Sequence, residues 1–398
     1  MPTFNAVIAQ SGGPTAVINQ SLVGCLEALR GAADVGCIYG ARHGVKGLLK
    51  DDLIDLTNLD QTRLERVAAT PSAALGSTRD KPDETYCTRI LDSLRKHDIH
   101  WLFYIGGNDS ADTCRIVRDQ AVAAGYPLRC FHVPKTIDND LECNDHTPGY
   151  GSAARWVATT FMSDNLDNAA LPGVKINVVM GRNAGFLTAA STLGRRHEDD
   201  GPHLVYLPER VFDPEDFVAD VDRVYTRLGR CLIAVSEGVK DRAGNAVTAM
   251  MADTRERDAH GNIQLSGTGV LGDFLAERLK QDLGGTHKKI RVRSDTFGYI
   301  QRSSFDISPV DAAEARAVGQ HAALCAIRGQ ESGSITIERE STDPYRVRFG
   351  LAPLEHVAAK TRVMPPHFMD SDAPGVTDAF RRYAEPLVGR LPEVGRLG

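Results

Sequence analysis

The chain has 398 residues, 42% of them hydrophobic and 25% charged, and its 46 Lys+Arg against 52 Asp+Glu leave a formal net charge of -6. That length suits one large or two medium domains with a sizeable core, and the slight acidic excess argues against general nucleic-acid binding while leaving room for local basic pockets that hold small anions. No apolar run approaches the roughly 20 residues of a membrane helix, and "MPTFNAVIAQSGG" lacks a basic segment followed by a long apolar core, so neither a membrane span nor a secretory signal is expected. The 8 Cys, at 25, 37, 87, 114, 130, 143, 231 and 325, form no C-x-x-C pair. They read as reduced, mostly buried thiols of a cytoplasmic protein.

Strand-like and helix-like segments alternate from the start. "NAVIAQ" predicts a short buried strand, "SGGPT" a turn, and "AVINQSLVGCLEALR" a helix by its apolar spacing. Strands are predicted at "VGCIYG", "WLFYIGG" and "LRCFHVP", with the helix "SADTCRIVRDQAVAAG" between the last two. A long helix, "GSAARWVATTFMSDNLDNAA", precedes the strand "VKINVVMG" and the helix "NAGFLTAASTLGRR". The pattern repeats in "HLVYLP", "DFVADVDRVYTRLG", "CLIAVSEG", "GVLGDFLAERLKQDLG", "KKIRVRS" and "PVDAAEARAVGQHAALCAIRG". Such β-α alternation implies α/β architecture, a mostly parallel sheet with helices on both faces. Ligands then bind beyond the carboxyl ends of the strands. The stretch 241–267 is polar and poorly periodic, consistent with either an ordered insertion or a loop. The tail beyond "ITIERE" shows short strand-like pieces broken by Pro.

Three strand-end turns carry chemistry. Ser11-Gly12-Gly13 lets backbone N–H groups approach an anion, although a ligand-free tight turn uses the same glycines. In "YIGGNDSADT", Gly106 and Gly107 precede Asn108, Asp109 and Ser110, and one of these three would suffice to cap the next helix. A carboxylate at a phosphate-cradling turn repels phosphate unless a metal or another cation intervenes. In "HVPKTIDND", Lys135 precedes Asp138 and Asp140, which share a side of an extended loop. Two adjacent carboxylates call for a cation. Mg²⁺ with a substrate phosphate supplies one, leaving one Asp as a base near a sugar hydroxyl.

Taken in order, "SGGPTAVIN", "LGSTR", "GGNDS", "PKTIDND", "MGRNAGFLT", "SEG" and "GYIQR" resemble the phosphofructokinase family, and within it the pyrophosphate-dependent branch, over roughly Asn5 to Arg328. The resemblance implies two Rossmann-like three-layer α/β/α domains with mostly parallel sheets. It divides them as a pyrophosphate half at 1–150, a sugar-phosphate half at 151–330, and a C-terminal extension at 331–398 packing back on the body. ATP users of the family read GGDGS and PGTIDND, so Asp109 and Lys135 stand where those enzymes have glycine. Asp109 then occupies the space and carries the charge of a nucleotide α-phosphate, while Lys135 offers a cation to the shorter pyrophosphate.

Carried over by motif, Asp138 resembles the base that accepts the proton of the sugar 1-hydroxyl, with Asp140 and Asn108 beside Mg²⁺. Asn108 stands where many relatives have Asp, which weakens that metal contact. Lys135 and Arg182 would stabilise the transferring phosphoryl group. Gly12, Gly13, Arg79 and Lys135 would hold pyrophosphate. Thr136, Ile137, Asp138, Met180, Gly181, Arg182, Glu237, Tyr299, Ile300, Gln301 and Arg302 would line the fructose 6-phosphate site, and Arg293 resembles an arginine that reaches a neighbouring subunit's sugar phosphate. Tyr299 replaces the His common in bacterial ATP users. The implied activity is reversible transfer of phosphate from pyrophosphate to fructose 6-phosphate, in a cytoplasmic homodimer or homotetramer. An ATP-dependent kinase of the same fold is the main alternative, followed by a catalytically silent sugar-phosphate-binding subunit. "SGGPTA" lacks G-x-G-x-x-G, which argues against a dinucleotide-binding dehydrogenase.

Overall fold

The computed structural model describes residues 3–250 and 269–397. Most of the polar stretch 241–267 lies outside the described residues. In chain order the elements are β1 (Phe4–Gln10), α1 (Ile18–Arg30), β2 (Val35–Ala41), α2 (Val45–Lys50), β3 (Leu53–Asp55), α3 (Gln61–Ala68), α4 (Glu84–Lys96), β4 (Ile99–Gly106), α5 (Asn108–Ala123), β5 (Arg129–Pro134) and α6 (Tyr150–Ala170). Then come β6 (Val174–Val179), α7 (Phe186–Ala189), β7 (Leu204–Tyr206), α8 (Pro214–Leu228), β8 (Cys231–Ser236), α9 (Val270–Leu283) and β9 (Val292–Thr296). The last are α10 (Pro309–Ile327), β10 (Gly333–Thr342), β11 (Tyr345–Ala352) and α11 (Asp378–Val388).

Two compact units result: Met1–Ser152 with Arg302–Arg362, and Ala153–Gln301 with Val363–Gly398. The first is built on a seven-stranded sheet of order β11-β10-β5-β4-β1-β2-β3. Its β10, β5, β4, β1 and β2 run parallel, and β11 and β3 pair antiparallel at the two edges. Alternation along the strands sorts the core onto two faces. Ala6, Ile8, Trp101, Phe103, Ile105, Phe131 and Val133 pack against Ile18, Leu22, Leu26 and Leu29 of α1 and Val318 and Ala322 of α10. Val7, Ala9, Leu102, Tyr104 and Cys130 pack against Ile90, Leu91 and Leu94 of α4 and Cys114 and Val117 of α5. Each large side chain so buried contributes about 1.5–3 kcal/mol.

The second unit carries an all-parallel sheet, β7-β8-β6-β9. On one face Ile176, Val178, Ile233 and Val235 meet Phe217 and Val221 of α8 and Leu271, Leu275 and Leu279 of α9. On the other, Asn177 of β6 donates to Asp164 of α6 at 2.6 Å. Helix α8 starts and stops where its sequence requires. Asp213 caps its first turn by accepting from Glu215 N–H at 2.9 Å, Pro214 occupies the first helical position, and Gly229 ends it at φ 67°.

Each unit is an α/β/α sandwich, as the alternation implied. Three details differ from the sequence reading. "NAGFLTAASTLGRR" yields only the short α7 followed by a 3-10 turn at Ala190–Gly194. The hydroxyls of Ser191 and Thr192 donate to the carbonyls of Thr188 at 2.6 Å and Ala189 at 2.9 Å, and such bonds compete with regular helix. The strand expected at "KKIRVRS" is shifted toward the C-terminus, to Val292–Thr296.

The third difference is in the domain limits. The chain does not keep 151–330 in one body or 331–398 as a single extension. Helix α10 belongs to the first unit because it lies directly on α1: a Cβ at Gly24 would run into the Arg316 carbonyl, and one at Gly319 into the Ser21 carbonyl. Strands β10 and β11 extend the first sheet, with Ile335 and Ile337 fully buried, whereas 363–398 joins the second unit. There Phe186 packs against Phe368 and Tyr383, and Phe380 packs against the same two rings, edge to face or tilted.

Candidate active site

The three turns singled out in the sequence follow β1, β4 and β5, which are neighbours in the first sheet. They therefore emerge side by side at the carboxyl ends of their strands. The Ser11 N–H donates to the Ile105 carbonyl at 2.9 Å and the Lys135 N–H to the Gly106 carbonyl at 3.0 Å. Gly12 has φ 74°, a conformation that favours glycine. Helix α1 begins only at Ile18, five residues beyond Gly13, so its N-terminus does not supply the positive end of this turn.

Side chains supply it. Lys135 is 3% exposed, and its ammonium donates to the Gly13 carbonyl at 2.8 Å. A Cβ at Gly12 would stand 3.0 Å from Lys135 Nζ, and one at Gly13 would stand 2.7 Å from Arg302 Nη1. The two cations thus lie on the glycine turn itself. Burial, then the positive charges of Arg302 and Arg79, push the Lys135 pKa down to about 7 against the opposing pull of Asp138 and Asp140. Converging cations, one of them buried, are the electrostatic outline of a polyanion site.

Helix α5 starts directly after Gly106-Gly107, with Gly107 as the capping residue and no side-chain cap. Asn108 Oδ1 accepts from the Asp109 N–H at 2.9 Å, and its amide donates to the Lys360 carbonyl at 3.1 Å and Thr361 Oγ1 at 3.2 Å. Ser110 hydrogen-bonds the Ser11 hydroxyl. Of the three, only Asn108 meets an N–H of the helix's first turn. Asp109 pairs with Lys81 at 2.8 Å.

After Lys135 the chain forms a closed loop. Thr147 Oγ1 donates to the Thr136 carbonyl at 3.0 Å, the Thr136 N–H donates to the Pro148 carbonyl at 3.2 Å, and Asn139 Oδ1 accepts from the Thr147 N–H at 3.1 Å. Asn139 adopts φ 59°, a left-handed position that Asn tolerates. Asp138 and Asp140 flank it. The Asp138 N–H donates to Thr136 Oγ1 at 3.1 Å. Burial raises the Asp140 pKa, opposed by a hydrogen bond from Thr136 and by the charges of Arg362 and Lys135. Ile137 is buried beneath the loop. Arg362 clamps the loop from outside, donating to the carbonyls of Asn139 at 2.7 Å and Asp145 at 3.0 Å and also to that of Asn144.

In the second unit, β6 and β8 are neighbours and end in Met180-Gly181-Arg182 and Glu237-Gly238. Ser236 Oγ donates to the Gly181 carbonyl at 2.6 Å, and the Glu237 N–H donates to the Val179 carbonyl at 2.9 Å. Gln301 is buried and accepts from the Met180 N–H at 3.3 Å. Tyr299 and Ile300 are exposed. This unit thus brings Met180, Gly181, Arg182, Glu237 and Gln301 together. Arg293 stands apart: it pairs in register with Lys175, five residues before Met180, which is about 16 Å along the strand. The motif Gly298–Arg302 straddles the two units, and Arg302 belongs with the first.

Residues 5–326 match the family model described as Phosphofructokinase. The chain belongs to the phosphofructokinase family. It is 55% identical over 393 residues, 98% of this chain and 96% of the other, to a pyrophosphate--fructose 6-phosphate 1-phosphotransferase of Rhodospirillum rubrum. A protein of the same description from Xanthomonas campestris is 40% identical, covering 98% and 93% of the two chains. The crystal structure of a pyrophosphate-dependent phosphofructokinase from Nitrosospira multiformis superposes with a TM-score of 0.86 at 36% identity, covering 98% of this chain and 93% of that one.

In this phosphofructokinase, the first unit gathers Gly12, Gly13, Arg79, Asn108, Asp109, Lys135, Thr136, Asp138, Asp140 and Arg302 around neighbouring strand ends. Sequence reasoning missed Lys81 and Arg362. Lys81 lies two residues beyond the "LGSTR" motif, so proximity was its only signal, and Arg362 sits in the tail with no motif around it.

Proposed function

We propose that this chain catalyses reversible phosphoryl transfer between pyrophosphate and fructose 6-phosphate, yielding fructose 1,6-bisphosphate and orthophosphate. The observation that carries the reading is Lys135. It is a buried ammonium set on the Gly12-Gly13 turn beside Arg302, at a position where nucleotide users of the family have glycine. Relatives similar over nearly the full chain bear the name of this activity.

In the forward direction Asp138 accepts the proton of the sugar 1-hydroxyl as that oxygen attacks a pyrophosphate phosphorus. The P–O–P bond breaks and orthophosphate leaves with the electron pair. Lys135 and Arg182 stabilise the charge of the transferring group, while Gly12, Gly13, Arg79 and Lys135 hold the donor. Thr136, Ile137, Met180, Gly181, Glu237, Tyr299, Ile300, Gln301 and Arg302 position the sugar phosphate. In reverse, Asp138 returns the proton. One phosphoanhydride is exchanged for one phosphoester, so little free energy separates the two sides.

Among the described residues no cluster of three or more His, Cys, Asp or Glu could hold a metal unaided. The buried Asp140 carboxyl, with its raised pKa, and Asp138 beside it fit a divalent ion completed by substrate phosphate oxygens, the usual habit of Mg²⁺. When bound, Mg²⁺ supplies neutralising charge to the phosphates. Asn108 is the weaker candidate ligand, because its oxygen already accepts from the Asp109 amide. The exposed position of Arg293, remote from Met180 in its own unit, supports a role across a subunit boundary in a homodimer or homotetramer. Six of the eight free cysteines are buried, which supports a reducing, cytoplasmic setting. No helix among the described residues is long and apolar enough to cross a membrane.

A donor comparison tests the proposal. Purified protein with Mg²⁺ and fructose 6-phosphate should turn over with pyrophosphate and remain near background with ATP. Turnover with ATP alone makes it a nucleotide-dependent kinase, and turnover with neither makes it a silent sugar-phosphate binder.

A further inference from the structure

Asp109 is not a lone carboxylate. Lys81 Nζ lies 2.8 Å from its Oδ1. The run that carries Lys81 is fastened to the first glycine turn: the Gly12 N–H donates to the Thr78 carbonyl at 2.8 Å, and the Ser77 hydroxyl donates to the Gly12 carbonyl at 2.6 Å. Asp80 is held as well, by the Tyr86 hydroxyl at 2.8 Å and by Lys46 at 3.1 Å. Asp109 stands on the first turn of α5, directly beyond β4. The Lys81–Asp109 pair therefore ties the connection between α3 and α4, itself fastened to the turn beyond β1, to the start of α5 beyond β4, next to the turn that Lys135 covers.

The pair has little to do for stability. Its side chains are 57% and 42% exposed, and exposed pairs add at most a small increment to folding. Its position matters more. Pyrophosphate and nucleotide triphosphate are both polyanions, so an unanswered carboxylate beside the donor repels both. Charge at Asp109 alone cannot sort a short donor from a long one. A carboxylate already paired with an ammonium fills the space without the repulsion, and leaves the donor's charge to Lys135 and Arg79.

We propose that Lys81 is a specificity-determining residue for the donor. Paired with Asp109, it occupies the room a longer donor requires while cancelling the charge that would otherwise weaken pyrophosphate binding. This rests on the reading of pyrophosphate as donor.

The test is a double-mutant cycle with Lys81→Met and Asp109→Asn, measuring KM for pyrophosphate, KM for fructose 6-phosphate and kcat. Lys81→Met should raise KM for pyrophosphate by about fivefold, the scale of an exposed charge pair, with a smaller change in kcat. Lys81→Arg should restore it, since a guanidinium also pairs with a carboxylate. In the Asp109→Asn background, Lys81→Met should no longer raise KM. The proposal is overturned if Lys81→Met leaves KM for pyrophosphate unchanged. It is also overturned if KM rises equally in both backgrounds, because Lys81 would then act on the donor independently of Asp109. A parent protein that uses ATP and ignores pyrophosphate would instead sink the underlying donor reading, an outcome visible before any variant is made.

Discussion

Lys135 sits where a lysine is hardest to keep charged. Burial and two nearby guanidinium groups hold its pKa at about 7, well below the ordinary lysine value. A bound polyanion favours the ammonium, so donor binding takes up a proton whenever the pH lies above that value. Affinity should then weaken by up to about tenfold per pH unit above pH 7. The comparison is with Lys135→Arg, whose guanidinium stays charged. Plotted against pH, KM for pyrophosphate should climb more steeply above pH 7 in the parent than in the variant, with the donor's own ionisation cancelling between them. Parallel profiles would show that Lys135 does not titrate in this range. Lys135, Asp138 and Asp140 were legible in the sequence because three charges crowd the six residues after a buried strand, more than a turn needs. Lys81 and Arg362 were not. Their partners, Asp109 and the Asn139 carbonyl, lie far along the chain, and each looks locally like a solvated cation.

Among the elements, the loop from Lys135 to Gly149 is anchored at its far end by a buried ion cluster. His146 is flanked by Asp145 at 2.8 Å and Glu314 of α10 at 2.6 Å. Tyr345 of β11 donates to Glu314 at 2.6 Å, Arg339 of β10 donates to Asp145 at 3.0 Å, and the Arg339 guanidinium lies 5.2 Å from the centre of the Tyr345 ring. Burial opposes charge on His146, but the hydrogen bonds to Asp145 and Glu314 outweigh it and raise its pKa. A group whose folded value exceeds its unfolded value stabilises fully below the unfolded value, about 6.5 for His, and loses that contribution as pH climbs through the folded one. Lys135 contributes the opposite slope, since its folded value lies below its unfolded one. The difference between parent and His146→Gln therefore isolates the imidazole: the stability gap should be widest below pH 6.5 and narrow as the pH rises above it. A gap independent of pH would mean that His146 is neutral in the folded chain. Periodicity made the parallel strands and most helices readable. The hairpin of β10 and β11 was harder to see, because only the first half of β10 is fully buried while β11 is half-exposed along its length, so neither shows a long apolar run.

On the scale of the molecule, the chain visits the first unit twice and the second twice. Fold class was legible in the β-α alternation, but the division was not, since nothing in a local window reports that α10 returns to α1. What joins them is the pair Gly24 and Gly319, each facing a backbone carbonyl of the other helix. Gly319→Ala gains a little helix propensity but forces the helices apart, and overpacking of this kind costs about 1–3 kcal/mol. Denaturant unfolding should show that loss, and an unchanged midpoint would mean that the helices separate freely.

The same return path has a consequence during synthesis. Strand β5 leaves the ribosome as one edge of an unfinished sheet, and β10, which covers that edge, lies beyond the whole Ala153–Gln301 excursion. From Pro134 to Gly333, at 5–20 residues per second, the wait is roughly 10–40 s. For that interval a nascent chain displays an open strand and the greasy side of α1 with no α10 to cover it, so newly made protein should depend on chaperones far more than the finished molecule does.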